Sequence, residues 1–329
     1  DCLRFKPTIA TTCYGMNDHG YRPYTSEIGE RYQSASREIV RAFKKAGARV
    51  VHGSPGCVGK VPAWTKSEQF SKQDLNLNLC ELRNLGIDLA QSEDVYFADL
   101  FWPMLTQDFL ARQKYGTNYA VPGQDGVHPG WSGSLIMAAA FLKSFGLDGE
   151  IGTLTVDLGS GQAQASQGHQ VLGFSEGKLR VKSSRYPFCA PEGDVAKDDN
   201  IRSALTLIPF NSELNRLTLI VKGAPASRYQ IIWGSASKTF AREALQSGIN
   251  LAEEFPNNPF SDAFARVDRA VAAKQAYETR QIKDLFHGPE GRADMEMTVA
   301  LSEKVRAPLA AAIETAFVPV EHALQILPE

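Results

Sequence analysis

The sequence lacks any apolar run of about 18 residues, so no transmembrane helix is expected. It lacks a C-x-x-C pair. Its five cysteines (Cys2, Cys13, Cys57, Cys80, Cys189) are too few and too scattered for a disulfide scaffold or a zinc ribbon. The odd count leaves at least one thiol free or paired between chains, and cysteine usage gives no compartment. It lacks a charge bias. Acidic residues number 37 against 35 basic, a net charge of −2, which argues against a general nucleic-acid-binding or polybasic membrane surface. There is no internal repeat and no low-complexity stretch. The start Asp1-Cys2-Leu3-Arg4-Phe5-Lys6-Pro7 has neither an initiator Met nor a signal-like apolar stretch. It reads either as a processed mature terminus or as the end of an element whose beginning lies upstream. What is present is ample for a core: 329 residues, 43% hydrophobic and 22% charged, enough for one large domain or two ordinary ones.

Strands alternate with helices over the first half. Residues 8–14 are a short β-branched run ending at Gly15. In 27–46, Ile28, Tyr32, Ala35, Ile39, Phe43 and Ala46 recur at helical spacing before Gly47 stops the helix. Ala48–Val51 reads as the next strand, 68–91 as a helix, Val95–Ala98 as a strand, and 100–113 and 132–145 as helices. This order predicts a parallel sheet with helices on both faces over residues 1–148. The pattern changes near Gly149. From 151 to about 235, short alternating runs separated by turn residues predict an antiparallel unit. The hairpin Leu172-Gly173-Phe174 against Leu179-Arg180-Val181 is its clearest element. Residues 237–247, 260–286 and 290–316 read as helices and 318–326 as a strand, giving an α+β extension over 149–329.

Two short motifs carry chemistry. Gly15-Met16-Asn17-Asp18 follows the first strand directly. Such residues commonly form a plain turn, yet the carboxyl end of a parallel strand is where open α/β sheets hold their sites. An Asn amide there can donate to a developing oxyanion. In Asp125-Gly126-Val127-His128-Pro129-Gly130, Pro129 biases His128 to extended backbone at the entrance of a helix. Asp125 can curl back to accept from Nδ1–H, leaving Nε2 as a general base. Alone, an Asp-x-x-His is more often an idle surface turn.

Together the two motifs resemble the SGNH (GDSL-type) hydrolases. Asn17 matches the block that supplies the oxyanion Asn, and Asp125 and His128 match the block that supplies the acid and base of the triad. Lys6-Pro7-Thr8 and Tyr21-Arg22-Pro23-Tyr24 extend the likeness to a bacterial subgroup with a long C-terminal extension. Ser184-Arg185-Tyr186-Pro187-Phe188, Leu217-Thr218-Leu219 and Pro319-Val320-Glu321-His322 carry it through that extension. The resemblance implies a three-layer flavodoxin-like fold and hydrolysis of an ester, with an acetylated carbohydrate as the substrate class. It implies no metal or cofactor, and a secreted or periplasmic location. Gly15, Asp18, His19 and Arg22, close to Asn17, are the candidate substrate-binding residues. The partner is a small-molecule or polysaccharide ester, with no nucleic acid and no membrane insertion.

The family begins with a strand ending in Gly-Asp-Ser, whose Ser is the nucleophile, followed by a block with an oxyanion Gly. Neither block is in these residues, and both are expected before Asp1. The strand 8–14 would then be third in the order 2-1-3-4-5. It would stand at a sheet border with an open edge, unless a C-terminal segment such as 318–326 fills it. Ser160 sits in a hairpin turn, and Ser54 lies on a loop without a motif. Ser54-Pro55-Gly56-Cys57-Val58-Gly59-Lys60-Val61 resembles a phosphate loop but has Ser for the first Gly and Val in place of Ser/Thr. Cys57, with His52 nearby, is a remote candidate thiol nucleophile. Trp64, Trp102, Trp131, Tyr21 and Tyr24 suit either packing or stacking on sugar rings. The competing function is a degenerate hydrolase fold that binds a glycan without cleaving it.

Overall fold

Strand β1 (Ile9–Cys13) buries Ala10 and Thr12 and exposes Ile9, Thr11 and Cys13, the alternation of a half-covered strand. Helix α1 (Ser26–Lys45) starts where the Thr25 hydroxyl accepts from the Ile28 amide, and its buried stripe includes Ile28, Tyr32 and Val40. Strand β2 (Arg49–Gly53) is followed by α2 (Lys72–Ser92), whose start is fixed by a reciprocal capping box between Ser71 and Asp74. Strand β3 (Tyr96–Ala98), α3 (Phe101–Tyr115) and α4 (Trp131–Ser144) complete the run. A short helix α5 (Ile201–Ala204) belongs to the same unit. This is a computed structural model that describes residues 1–65 and 70–329. The expected start of the second helix at 68–69 lies outside the described residues.

The chain divides into two units. One is Cys2–Asp148 with Glu192–Phe210, and the other is Gly149–Pro191 with Asn211–Glu329 and Asp1. A single cut after Asp148 is therefore not how the chain divides, because 192–210 packs with the first unit. There the three strands pair in parallel in the order β1-β2-β3, Ala10 opposite Val50 and Val51 opposite Tyr96. Val50 faces Val40 of α1 and Leu89 of α2. Val51 and Ala98 face Met137, Ala140 and Phe141 of α4. Helices thus cover both faces, the three-layer α/β arrangement. Among the described residues β1 pairs with β2 alone and forms the sheet's border.

The second unit contains β4 (Glu150–Asp157), β5 (Gln162–Ala165), β6 (His169–Ser175), β7 (Lys178–Ser183), β8 (Arg216–Lys222), β9 (Arg228–Trp233), β10 (Ala236–Ala241), β11 (Ile249–Asn250) and β12 (Val320–Pro328). Its helices are α6 (Phe210–Leu214), α7 (Arg242–Ser247), α8 (Leu251–Glu254), α9 (Ser261–Arg280), α10 (Pro289–Ala293) and α11 (Met295–Ala316). The strands form two sheets, β10-β9-β12-β7-β6 and β11-β8-β4-β5. One core receives Leu154, Val156, Leu217, Leu219 and Val221 from one sheet and Leu179, Val181, Ile231, Trp233, Leu324 and Ile326 from the other.

Three expectations are corrected here. The unit is not purely antiparallel, because β4 and β8 run parallel; the long excursion between them supplies the crossover that a parallel pair needs. Residues 237–241 are not helical. They form β10, a hairpin partner of β9 that turns at Gly234, and the helix begins only at Arg242. The strand near 318–326 does not pair with β1; β12 lies between β7 and β9. The expected hairpin of 172–181 is present as β6 and β7.

A buried polar chain crosses this second core. The Trp233 indole N–H donates to His322 Nδ1 at 3.1 Å. His322 Nε2 is 3.0 Å from Ser183 Oγ, which is 2.8 Å from His169 Nδ1. His169 Nε2 meets the Ile151 carbonyl at 3.1 Å. Indole is a donor only, so His322 must carry its proton on Nε2 and give it to Ser183. Ser183 then donates to His169, and His169 donates to Ile151. Every partner is satisfied with both imidazoles neutral. Burial holds the pKa of His322 down to about 4 and lowers that of His169.

Candidate active site

The loop leaving β1 is knotted by its own backbone. Gly15 has φ +119°, and a Cβ there would lie 2.8 Å from the Pro55 ring, so only glycine fits. The Gly15 amide donates to the Asp18 carboxylate at 2.9 Å, and the His19 amide to the Gly15 carbonyl at 3.0 Å. From α2, the Asn78 amide donates to the carbonyls of His19 at 3.1 Å and Arg22 at 2.7 Å. His19 is 0% exposed, with Nδ1 on the Met16 carbonyl. Burial lowers its pKa, so it is neutral. It supports the loop from below and does not line a pocket, as its closeness to Asn17 suggested. Gly15 and Asp18 likewise spend amide and carboxylate on each other. Asn17 stands exposed at the tip, Oδ1 accepting from the Tyr21 hydroxyl at 3.3 Å. Arg22 is exposed beside it.

The second loop precedes α4. Gly126 has φ +95°, and a Cβ there would stand 2.4 Å from the Lys60 carbonyl oxygen. This close approach lets the Gly59 amide donate to the Gly126 carbonyl at 2.9 Å. Asp125 Oδ1 accepts from the amides of Val127 at 3.0 Å and His128 at 2.9 Å. Asp125 Oδ2 lies 2.6 Å from His128 Nδ1. Burial alone would raise the Asp125 pKa. The two amides and the imidazole outweigh it and hold the carboxyl down to about 2. An ionised Asp125 accepting from Nδ1–H leaves His128 Nε2 as the proton acceptor. The His128 side chain is 77% exposed.

Aromatic rings join the two loops. The Trp64 ring lies 5.9 Å from the His128 ring and 6.2 Å from that of Tyr21, edge-on to the latter. Tyr21 in turn packs 4.6 Å from His19 and holds Asn17. Asn17 and His128 are thus at one end of the sheet, linked through two side chains. Residues 1–135 match the GDSL-like Lipase/Acylhydrolase family.

The protein is accordingly an ester-bond hydrolase. In fold it is similar to BT4096, a gut microbial diltiazem-metabolizing enzyme, at 18% identity and a TM-score of 0.71, over 100% of this chain and 85% of that one. It is also similar to Axe2, an acetylxylan esterase from Geobacillus stearothermophilus, at 21% identity and a TM-score of 0.33, over 45% of this chain and 63% of that one. No curated protein matches the sequence. No helix among the described residues is long and apolar enough to cross a membrane.

Within the GDSL-like domain the rival candidates have structural duties. Ser54 is fully buried; its Oγ accepts from the amides of Leu100 at 2.8 Å and Phe101 at 3.1 Å and so caps α3. Cys57 is buried, and burial pushes its thiol pKa up, the opposite of an activated nucleophile. His52 is buried between Thr12 at 2.8 Å and Tyr32 at 3.3 Å, and burial holds its pKa down to about 4. The phosphate-loop look-alike spends its amides internally, Val58 on Asn76 at 2.8 Å and Gly59 on Gly126. Ser160 lies in the turn after β4, in the other unit.

Sequence reading missed Asp198. Its carboxylate accepts from the Ala120 amide at 3.1 Å and the Gln124 side chain at 2.5 Å, and its carbonyl accepts from the Ser132 amide at 3.2 Å. Nearby, Tyr119 and Ser203 hydroxyls meet at 2.6 Å. The returning segment 192–210 therefore buttresses the Asp125–His128 loop from both ends. No periodicity marks Asp198, because it sits in a turn-rich stretch remote from the motif.

Proposed function

We propose that the protein hydrolyses acetyl esters of carbohydrates, with His128 as general base, Asp125 as its orienting carboxylate and Asn17 as an oxyanion donor. The nucleophile is a serine, as in the hydrolases this domain resembles. Its hydroxyl oxygen attacks the ester carbonyl while its proton passes to His128 Nε2. Asn17 Nδ2 donates to the tetrahedral oxyanion. Collapse breaks the bond to the sugar oxygen, which leaves with the proton from His128. Water then cleaves the acyl-serine by the same route, releasing acetate.

The observation that carries this reading is the 2.6 Å Asp125–His128 pair with its other nitrogen side open, joined by Trp64 and Tyr21 to Asn17. The sugar preference is supported by exposed rings on the strand-following loops and helix starts. Trp64 is 49% exposed, Trp131 63%, and Tyr24 and Trp102 are also open. Exposed flat ring faces suit stacking on pyranose rings. Acetate release from acetylated xylose or cellobiose by the natural protein tests the proposal. Saturable turnover, abolished by a serine-directed sulfonyl fluoride, is expected. Hydrolysis of p-nitrophenyl acetate without any sugar acetate would refute the substrate class.

A further inference from the structure

An Asn can serve an oxyanion only if its N–H2 end faces the cleft. Turned by half a rotation, the same amide presents a carbonyl oxygen to a developing negative charge. Both ends have nearly the same shape, so packing alone selects neither. Something must hold the oxygen away from the substrate.

Tyr21 is built to do this. Its backbone has φ +52°, a left-handed conformation that bulky aromatic residues seldom adopt. In that conformation its ring packs on His19, with centroids 4.6 Å apart, and meets the edge of Trp64 at 6.2 Å and 85°. Its hydroxyl donates to Asn17 Oδ1 at 3.3 Å. A carboxamide oxygen can only accept, so the phenol hydrogen is delivered to Asn17 Oδ1 and the donors left over are the two Nδ2 hydrogens.

We infer that Tyr21 is a positioning residue for ester hydrolysis, fixing the Asn17 amide with its N–H2 group turned to the substrate oxyanion. The inference rests on the proposed role of Asn17. It adds that Tyr21, which holds Asn17, meets the ring of the same Trp64 that packs on His128, so one aromatic pair registers donor and base together.

The test is a double-mutant cycle in the natural protein with p-nitrophenyl acetate, a substrate too small to need sugar stacking. Tyr21→Phe keeps the ring and removes only the hydroxyl. It should lower kcat about 10-fold, the upper range for one hydrogen bond, with KM within about twofold. In an Asn17→Ala background the same change should cost nothing further. An unchanged kcat in Tyr21→Phe, or an equal loss with and without Asn17, would overturn the inference. If Asn17→Ala alone leaves kcat intact, it is the underlying role of Asn17 that fails.

Discussion

The neutral relay Trp233–His322–Ser183–His169–Ile151 makes the second unit acid-sensitive by an amount that can be worked out. Protonating His322 would set an Nδ1–H against the Trp233 N–H, two donors 3.1 Å apart. Burial, with the neighbouring His169, lowers the folded pKa to about 4, while an unfolded histidine titrates near 6.5. The unfolded chain takes up the proton first as pH falls. The stabilisation is complete above about pH 6.5 and is lost progressively down to about pH 4. Linkage gives a loss of about 2 kcal/mol between pH 7 and pH 5 from His322 alone, with His169 acting in the same direction. Trp233 is the buried tryptophan among the described residues, while Trp64, Trp102 and Trp131 are exposed. Its emission in urea titrations thus reports this unit. His322→Gln is the matching variant, since Gln can accept from Trp233 and donate to Ser183 without titrating. It should flatten the pH dependence. Equal urea midpoints for the natural sequence at pH 7 and pH 5, or an undiminished pH slope in His322→Gln, would refute the neutral relay.

Asn17→Ala should lower kcat by roughly 10²–10³, the loss typical of one oxyanion donor, with little change in thermal stability. Ser54→Ala should destabilise the GDSL-like domain by about 2 kcal/mol, because two buried amides at the start of α3 lose their acceptor; a denaturant midpoint reads this. Asp198→Ala should reduce kcat roughly 10-fold by loosening the His128 loop, although Asp198 is no part of the pattern Asp125-x-x-His128. An unaltered kcat would mean that the loop holds itself.

The elements that read clearly in sequence are those whose local and tertiary demands agree. The helix over 26–45 has cap, periodicity and stop in register, and the Asp125–His128 turn needs only Gly126 and Pro129 to close. Misreadings arise where partners are distant. The Ser237–Ala241 segment has no strong strand composition and is recruited by β9 across a tight turn. The parallel pairing of β4 with β8 depends on a crossover that no short window reveals. At the candidate site, the pairing of Asp125 with His128 is legible from type and spacing. The contacts of Tyr21, Trp64 and Asp198 are not, because each is a hydrogen bond or ring contact that only the folded loops define. His19 shows the reverse error, since proximity in sequence to Asn17 gave no warning that its ring turns inward.

The central claim is that the open nitrogen of His128, held by Asp125, performs the proton transfer. Its most direct measurement is the initial rate of p-nitrophenyl acetate hydrolysis by the natural protein and its His128→Ala variant. His128 is exposed, so the variant should keep its fold by circular dichroism while turnover falls by roughly 10⁴ or more. A folded His128→Ala protein that hydrolyses the ester at the unmodified rate would contradict the account.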